Sequence, residues 1–361
     1  MTDIRIILED GSEYCGKSFG YQGSAAGEVV FNTAMAGYPE SLTDPSYKGQ
    51  ILVMTYPLAG NYGIPCDEHE NDIPRFFESD NIHVSALVVT DYTADYSHWA
   101  ASKSLNDWMV ENRIPGVYGV DTRALTKHLR ENGTMPGKVI YQNQDIPFYN
   151  PYNDNLADMV SCKEKVVYGN GLHRILLVDC GVQYNIIRDL MANDVTVIRV
   201  PCNYDFLDEE YDGLFISNGP GDPKKCDVTI RNIARAFGRN QPIMGVCLGS
   251  QLMGLAAGAD TFKLKYGHRS HNQPVKQVGN NTAFITAQNH GFAVDADTLP
   301  DEWEPYYVNL NDGTNEGFRH KTKPFFATQF YHESSGGISE KEYLFGAFIE
   351  EVKKYKTGKN T

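Results

Sequence analysis

The sequence predicts an α/β protein in which an N-terminal mixed β/α domain with few helices precedes a second domain, whose largely parallel sheet is flanked by helices. Short apolar runs broken by glycine and proline dominate up to about residue 90, as is typical of strands joined by turns. From residue 175 onward, short apolar runs alternate with segments of helical periodicity. This alternation indicates parallel strands with right-handed helical crossovers.

In the first domain, strands are expected at 4–8, 28–32 and 50–55. One helix stands out, with Asp121 as its candidate N-cap and Gly133 as the glycine that ends it. Residues 141–172 are rich in Asn, Asp, Pro and Gly and show few apolar periodicities, which is typical of an interdomain connection. We therefore expect a domain at 1–145, a linker at 146–172 and a domain at 173–355.

In the second domain, strands are expected at 175–178, 195–200, 214–217 and 243–246. Apolar faces indicate helices between them: Val182, Ile186, Ile187, Leu190 and Met191 form one face, and Ile230, Ile233, Ala234 and Phe237 form another. Residues 248–257 favour a third helix. Catalytic residues on such a sheet are expected at the carboxyl ends of the strands.

Composition and charge exclude several classes of protein. The 361 residues suffice for two domains, and a hydrophobic fraction of 41% is a globular value. A net charge of −14 disfavours nucleic acid and anionic membrane partners. No apolar run approaches the ~20 residues of a membrane span, and the first residues lack the apolar region of a signal peptide. A cytoplasmic location is therefore expected.

Cysteine and histidine spacing gives no sign of a metal site or a disulfide framework. The seven cysteines are scattered without a Cys-x-x-Cys pair, and the ten histidines show no His-x-x-x-His or His-x-His spacing. We expect reduced thiols and no protein-bound metal.

Cys247 is the strongest candidate nucleophile. It follows the apolar run 243–246 between Gly245 and Gly249, in a Gly-x-Cys-x-Gly-x-Gln pattern that ends at Gln251. An isolated cysteine is more often a small buried hydrophobe, but this spacing is typical of a nucleophile on a strand-to-helix turn. At the N-terminus of a helix the thiolate would be favoured over the thiol.

The pattern resembles the nucleophile turn of the class I glutamine amidotransferases. The resemblance implies that Cys247 attacks the side-chain amide of glutamine, forms a thioester and releases ammonia. It also places Gly219 and Gly221, after the strand 214–217, in the glutamine pocket. The backbone N–H groups of Gly219 and Leu248 would form an oxyanion hole, in which one donor contributes roughly 3 kcal/mol.

Residues 288–292 resemble the family segment that holds the α-amino and carboxylate groups of glutamine. On this resemblance Asn289, Gly291 and Phe292 bind substrate, together with Gln251 of the nucleophile motif. His290 is expected to be structural.

Residues 8–11, 27–33, 37–47 and 119–126 resemble the N-terminal domain of the carbamoyl-phosphate synthase small-subunit family. Turn-forming residues surround Ser46, so that a plain surface turn is one interpretation. The family resemblance instead implies that Ser46 helps to bind L-glutamine. It further implies a large synthetase subunit as partner, which would bind ATP and Mg²⁺, so that no cofactor is expected on this chain.

The second catalytic motif departs from the family pattern. The family has His-Pro-Glu where this chain has Tyr331, His332 and Glu333. In a regular strand Tyr331 and Glu333 would share a face and His332 would point away. Tyrosine, with a pKa near 10, cannot take the proton of a thiol at neutral pH. We expect a bulge that turns His332 toward Cys247, since a bulge needs no other change in the sheet.

These motifs predict the glutaminase subunit of a glutamine-dependent carbamoyl-phosphate synthase, serving arginine or pyrimidine biosynthesis. A second hypothesis is an amidotransferase subunit for another acceptor, against which the N-terminal domain argues. A third is a catalytically impaired regulatory or scaffolding subunit, which Tyr331 in the histidine position keeps open.

Overall fold

A computed structural model describes residues 3–330 and 340–359. The described helices are α1 Tyr38–Thr43, α2 Leu105–Glu111, α3 Thr122–Asn132, α4 Leu156–Val160, α5 Tyr184–Met191, α6 Asp227–Ala236, α7 Leu248–Ala257 and α8 Glu340–Lys359, with short 3-10 turns at Pro45–Tyr47, Pro151–Asn153, Pro223–Lys225 and Ala296–Thr298. The described strands are β1 Asp3–Leu8, β2 Glu13–Gly20, β3 Ala25–Asn32, β4 Gln50–Met54, β5 Leu58–Ala59, β6 Ile64–Pro65, β7 His69–Glu70, β8 Ile73–Pro74, β9 Ala86–Val88, β10 Asp91–Tyr92, β11 Ala101–Lys103, β12 Pro115–Tyr118, β13 Met135–Tyr141, β14 Val166–Tyr168, β15 His173–Asp179, β16 Val195–Pro201, β17 Gly213–Ile216, β18 Ile243–Val246, β19 Thr261–Gln277, β20 Ala283–Val294, β21 Trp303–Asn309, β22 Asn315–His320 and β23 Phe325–Thr328.

The chain forms two compact units. The first contains the residues up to Asp154 and the segment Lys265–Arg269, and the second contains Asn155–Leu264 and the residues from Ser270 onward. Among the described residues, no helix combines the length and the apolar character needed to cross a membrane.

The first unit is built on a closed barrel with the strand order β1-β13-β3-β4-β9-β12-β2. Alternate residues of β1, including Ile4 and Ile6, are fully buried, as expected for a strand with one face toward a core. The helix α3 contributes Leu125 and Leu129 to that core. Its N-cap is Asp121, whose side chain accepts the N–H of Ala124 at 2.8 Å. The predicted β-rich domain with one prominent helix is confirmed.

The second unit is built on a ten-stranded sheet with the order β14-β16-β15-β17-β18-β23-β22-β21-β19-β20. The strands β16, β15, β17, β18 and β23 are mutually parallel neighbours, which confirms the parallel sheet predicted from the alternating pattern. Beyond β23, the strands β22, β21 and β19 continue the sheet with antiparallel pairing. This part was not predicted. Antiparallel neighbours can be joined by short turns, so the alternation of strands and helices that indicates a parallel sheet is missing there.

Two local boundaries differ from the sequence expectation. The helix α5 begins at Tyr184, so Val182 precedes it instead of belonging to its apolar face. The segment 146–172 is not without structure, since it contains α4 and β14, and β14 pairs with β16 at the edge of the sheet. The short length of both elements explains why their periodicity is too weak to detect.

Candidate active site

Cys247 forms the turn between β18 and α7. Its backbone has φ 53° and ψ −109°, a conformation that non-glycine residues rarely adopt and that costs about 1–3 kcal/mol. The backbone N–H of Cys247 donates to the carbonyl oxygen of Thr328 at 2.8 Å, which fixes the strained turn to the neighbouring strand. The strand-to-helix turn predicted from the sequence is therefore present.

The glycines on either side of Cys247 leave no room for side chains. A methyl group on Gly245 would lie 2.6 Å from the carbonyl oxygen of Gly249, and one on Gly249 would lie 2.2 Å from that of Ile216. Both contacts are with backbone atoms, which cannot move aside without disturbing the sheet. The two glycines thus let β17, β18 and α7 converge at the nucleophile turn.

The side chain of Cys247 is 2% exposed. Its thiol donates to the carbonyl oxygen of Asn289, 3.6 Å from the sulfur. Cys247 stands at the N-cap position of α7, at the positive end of the helix dipole. Such an environment favours negative charge on a thiolate.

Four other cysteines of the second unit are held as thiols. Burial raises the pKa of Cys162 and the pKa of Cys226 to about 12. Burial raises the pKa of Cys202 to about 11, and it raises the pKa of the fully enclosed Cys180 well above its ordinary value. At neutral pH none of these four thiols ionises appreciably, so they are poor nucleophiles.

Gly219 and Gly221 lie on the loop that follows β17, next to the strand of the nucleophile. A methyl group on Gly219 would lie 2.9 Å from Cδ2 of Leu248, so the structure brings Gly219 beside the residue that follows Cys247. Gly221 has φ 95°, in the left-handed region that favours glycine. The role of the Gly219 and Leu248 N–H groups as oxyanion donors stays a prediction.

Gln251 connects α7 to β20 and to the residue that follows β23. Its Nε2 donates to the carbonyl oxygen of Phe292 at 2.9 Å and to Oε1 of Gln329 at 3.0 Å. Asn289, Gly291 and Phe292 all lie on β20. The contacts of Cys247 with Asn289 and of Gln251 with Phe292 therefore place β20 directly against the nucleophile turn.

His290 is 5% exposed and is engaged by its neighbours. Its Nδ1 lies 2.8 Å from the carbonyl oxygen of Phe292, to which it donates, and its Nε2 lies 3.1 Å from Oε1 of Gln288. The carboxylate oxygen Oε2 of Glu316 lies 4.0 Å from the same Nε2. The first two contacts lie within β20, and Glu316 belongs to β22. The structural role expected for His290 stays a prediction.

Ser46 belongs to the first unit. It lies in the 3-10 turn Pro45–Tyr47, is 6% exposed, and donates its backbone N–H to Oδ1 of Asp44 at 2.8 Å. The segment is a turn, as the residue types indicate, but it is buried, which a plain surface turn would not be. Its proposed contact with glutamine stays a prediction.

The three residues of the second catalytic motif, Tyr331, His332 and Glu333, lie outside the described residues. The described chain reaches Phe330, which is 4% exposed and packs edge-to-face against Tyr307 with ring centroids 5.2 Å apart. The choice between a bulge and a regular strand at 331–333 stays a prediction.

The residues that support the loop of Gly219 were not predicted from the sequence. These are Asp179, at the end of β15, and the turn 180–183 that follows it. A usable signal was present, since an aspartate directly after the apolar run 175–178 and two residues before Gly181 marks the carboxyl end of a buried strand.

Comparison with known proteins follows the same division of the chain. A family described as carbamoyl-phosphate synthase small chain, CPSase domain, matches residues 6–139, and one described as glutamine amidotransferase class-I matches residues 176–351. The carbamoyl phosphate synthase arginine-specific small chain of Chaetomium globosum is 45% identical over 98% of this chain and 79% of its own length.

Longer relatives match over the same extent. The mitochondrial carbamoyl-phosphate synthase (ammonia) of Homo sapiens is 48% identical over 97% of this chain and 24% of its own length. The multifunctional protein CAD of Squalus acanthias is 46% identical over 98% of this chain and 16% of its own length. This chain thus spans at most about a quarter of these longer relatives. With two matching families and a small-chain relative aligned along nearly its whole length, the chain belongs to the carbamoyl-phosphate synthase small-chain family.

Proposed function

We propose that this chain is the glutaminase component of a glutamine-dependent carbamoyl-phosphate synthase, with Cys247 as its nucleophile. The observation that carries the proposal is the strained turn at Cys247, with φ 53° at the N-terminus of α7. A non-glycine residue is held in such a conformation only where the surroundings compensate for the strain. Turns of this kind present a nucleophile at the carboxyl edge of a sheet.

The proposed reaction has two stages. The sulfur of Cys247 attacks the side-chain carbonyl carbon of glutamine while a base takes the thiol proton. The resulting oxyanion accepts hydrogen bonds from the backbone N–H groups of Gly219 and Leu248. Each bond would stabilise the transition state by roughly 3 kcal/mol. The amide nitrogen takes up the proton and leaves as ammonia, and water then hydrolyses the thioester to glutamate. His332, held by Glu333, is the proposed base.

The substrate is proposed to be L-glutamine, held along β20. Support comes from the contact between the Cys247 sulfur and the carbonyl oxygen of Asn289 at 3.6 Å, because a substrate bound at the sulfur would lie close to this strand. Asn289, Gly291 and Phe292 would bind the α-amino and carboxylate groups, and Ser46 would also help to bind glutamine.

The ammonia is proposed to pass to a large synthetase chain that binds ATP and Mg²⁺, in arginine or pyrimidine biosynthesis. A relative named as a small chain supports a separate partner. Multifunctional relatives, in which the matching region is 16% of the protein, support a functional connection to a larger enzyme. A heterodimer, a cytoplasmic location and the division into 1–145, 146–172 and 173–355 form part of this proposal.

The test is to reconstitute the chain with a large carbamoyl-phosphate synthase chain and to compare glutamine with ammonium as nitrogen donor. Cys247→Ala should abolish glutamine-dependent synthesis and leave ammonium-dependent synthesis intact. Cys15→Ala, at an exposed cysteine of the first unit, is the matched control and should preserve both. Equal use of glutamine by the wild type and Cys247→Ala would contradict the proposal.

One sequence feature favours a second function, a catalytically silent regulatory or scaffolding component. Tyr331 occupies the position of the family histidine, and tyrosine is a poor base at neutral pH. In that case the wild-type complex would use ammonium but would release no glutamate from glutamine.

A further inference from the structure

Asp179 is a fully buried carboxylate at the carboxyl end of β15. Its Oδ1 accepts the backbone N–H groups of Gly181 and Val182, both at 2.8 Å. Its Oδ2 accepts the N–H of Cys162 at 2.8 Å and lies 2.7 Å from Nη2 of Arg199. A buried charge persists only when it is paired and hydrogen-bonded, and here these bonds fix the turn that begins at residue 180.

The turn 180–183 lies directly against the loop that carries Gly219. A methyl group on Gly219 would lie 2.0 Å from the carbonyl oxygen of Cys180. The N–H of Gln183 donates to Oδ1 of Asn218 at 3.2 Å, and the N–H of Cys180 donates to Oγ of Ser217 at 2.9 Å. The Gly219 loop is therefore packed against this turn and hydrogen-bonded to it.

The helix α4 packs against both glycine turns. A methyl group on Gly221 would lie 3.3 Å from Cβ of Leu156, and one on Gly181 would lie 2.9 Å from Cγ2 of Val160. The residue Cys162, just after this helix, donates to Asp179. Asp179 thus anchors the turn beside the Gly219 loop and also the segment that covers it.

We propose that Asp179, paired with Arg199, is a positioning residue that holds the backbone N–H of Gly219 in place for the oxyanion. The proposal rests on the proposed function. Asp179 acts through the turn 180–183 and touches no reacting atom. Because a preorganised donor costs nothing to orient during the reaction, loosening the loop should lower kcat more than it weakens substrate binding.

The decisive variant is Asp179→Asn. The amide retains one oxygen for Gly181 and Val182 but presents a donor to Cys162 and Arg199, which are themselves donors. In the reconstituted complex, kcat for glutamine hydrolysis should fall roughly 10- to 100-fold, with KM for glutamine within about threefold of wild type. Hydrogen exchange of the backbone N–H groups at 217–219 and 221 should accelerate roughly tenfold or more.

Asp212→Asn is the matched control, since Asp212 is 8% exposed and accepts the N–H of Arg174 and the ammonium of Lys356. It precedes β17, at the opposite end of that strand from Gly219. This variant should lose stability while keeping wild-type kcat and wild-type exchange at 217–219 and 221. Equal effects of the two variants on kcat and exchange would overturn the proposal, as would wild-type kcat and exchange in Asp179→Asn.

Arg199 provides a second route if Asp179→Asn does not fold. Arg199→Lys keeps a cation beside Asp179 and should retain more kcat and slower exchange than Arg199→Met. Equal behaviour of these two variants would also overturn the proposal. Hydrogen exchange can be measured in a protein without glutaminase activity. An inactive wild type would therefore contradict the proposed function, while the exchange data would still decide whether Asp179 holds the Gly219 loop.

Discussion

The carbonyl oxygen of Thr328 accepts the backbone N–H of Cys247 at 2.8 Å. The pairing of Val246 with Thr328 aligns the ends of β18 and β23, so the chain leaves both strands at the same edge of the sheet. Cys247 follows one of these ends, and the segment that carries Tyr331, His332 and Glu333 follows the other. The two parts of the proposed catalytic apparatus thus start from neighbouring, hydrogen-bonded positions.

Gly249→Ala should damage both stability and activity. The added methyl group would lie 2.2 Å from the carbonyl oxygen of Ile216, and relieving this overlap should cost at least about 1–3 kcal/mol and displace α7 from β17. Urea unfolding and glutamine hydrolysis measure the two effects. Gly346→Ala is the control, because a methyl group there meets nothing within 4 Å and should stabilise α8 by up to about 1 kcal/mol. Wild-type activity in Gly249→Ala would contradict the close packing of this turn.

The parts of the fold that the sequence predicted are those in which local pattern and tertiary role agree. The parallel strands around β18 are short apolar runs separated by amphipathic helices, and each helix buries its apolar face on the sheet. The turn at Cys247 was predicted because glycines at this spacing indicate that backbone segments approach each other closely. The antiparallel strands β19 and β21 were not predicted, because their polar and apolar residues do not follow one consistent alternation.

The support of the site was harder to predict than the site itself. The contacts of Asp179 join residues that are distant in sequence, such as Cys162 and Arg199. No local pattern specifies such pairs, since they depend on which strands become neighbours. Gln251 was identified by its motif, but its bond to Gln329 likewise follows from the order of strands.

Gln251→Met should destabilise the second unit. The change removes the donor to Oε1 of Gln329 and leaves that buried oxygen without this bond, at a cost of about 1–3 kcal/mol in the free energy of unfolding. A double-mutant cycle with Gln329→Met is the control. The double variant should lose less stability than the sum of the single variants, because the buried oxygen of Gln329 is then absent and is no longer left without its donor. Strict additivity would show that the bond contributes nothing.

Stability should fall at high pH because of the buried thiols. Burial raises the pKa of Cys226 from 9.0 to about 12. The unfolded chain loses this proton near pH 9 while the folded chain keeps it, so the contribution to stability is complete below pH 9 and is lost as the pH rises toward 12. The slope in this window is at most about 1.4 kcal/mol per pH unit for one such thiol.

Urea unfolding on both sides of pH 9 measures this loss. Cys226→Ala removes the titrating group, so its unfolding free energy should fall less steeply above pH 9 than that of the wild type, whatever its stability at neutral pH. Parallel curves for the two proteins would show that Cys226 ionises equally easily in the folded and unfolded chains.

Substitutions at positions 331 and 332 should identify the residue that acts as general base for Cys247. If a bulge turns His332 toward the sulfur, His332→Ala should lower glutamine hydrolysis by about 10²- to 10⁴-fold, the usual contribution of a general base. Tyr331→Phe should then change the rate little, because a phenol with a pKa near 10 takes no proton from a thiol at neutral pH. In a regular strand the result is reversed: His332→Ala is silent, and the double change Tyr331→His with His332→Pro raises the rate. Steady-state ammonia release by these variants distinguishes the cases, and a silent His332→Ala would remove His332 from the proposed mechanism.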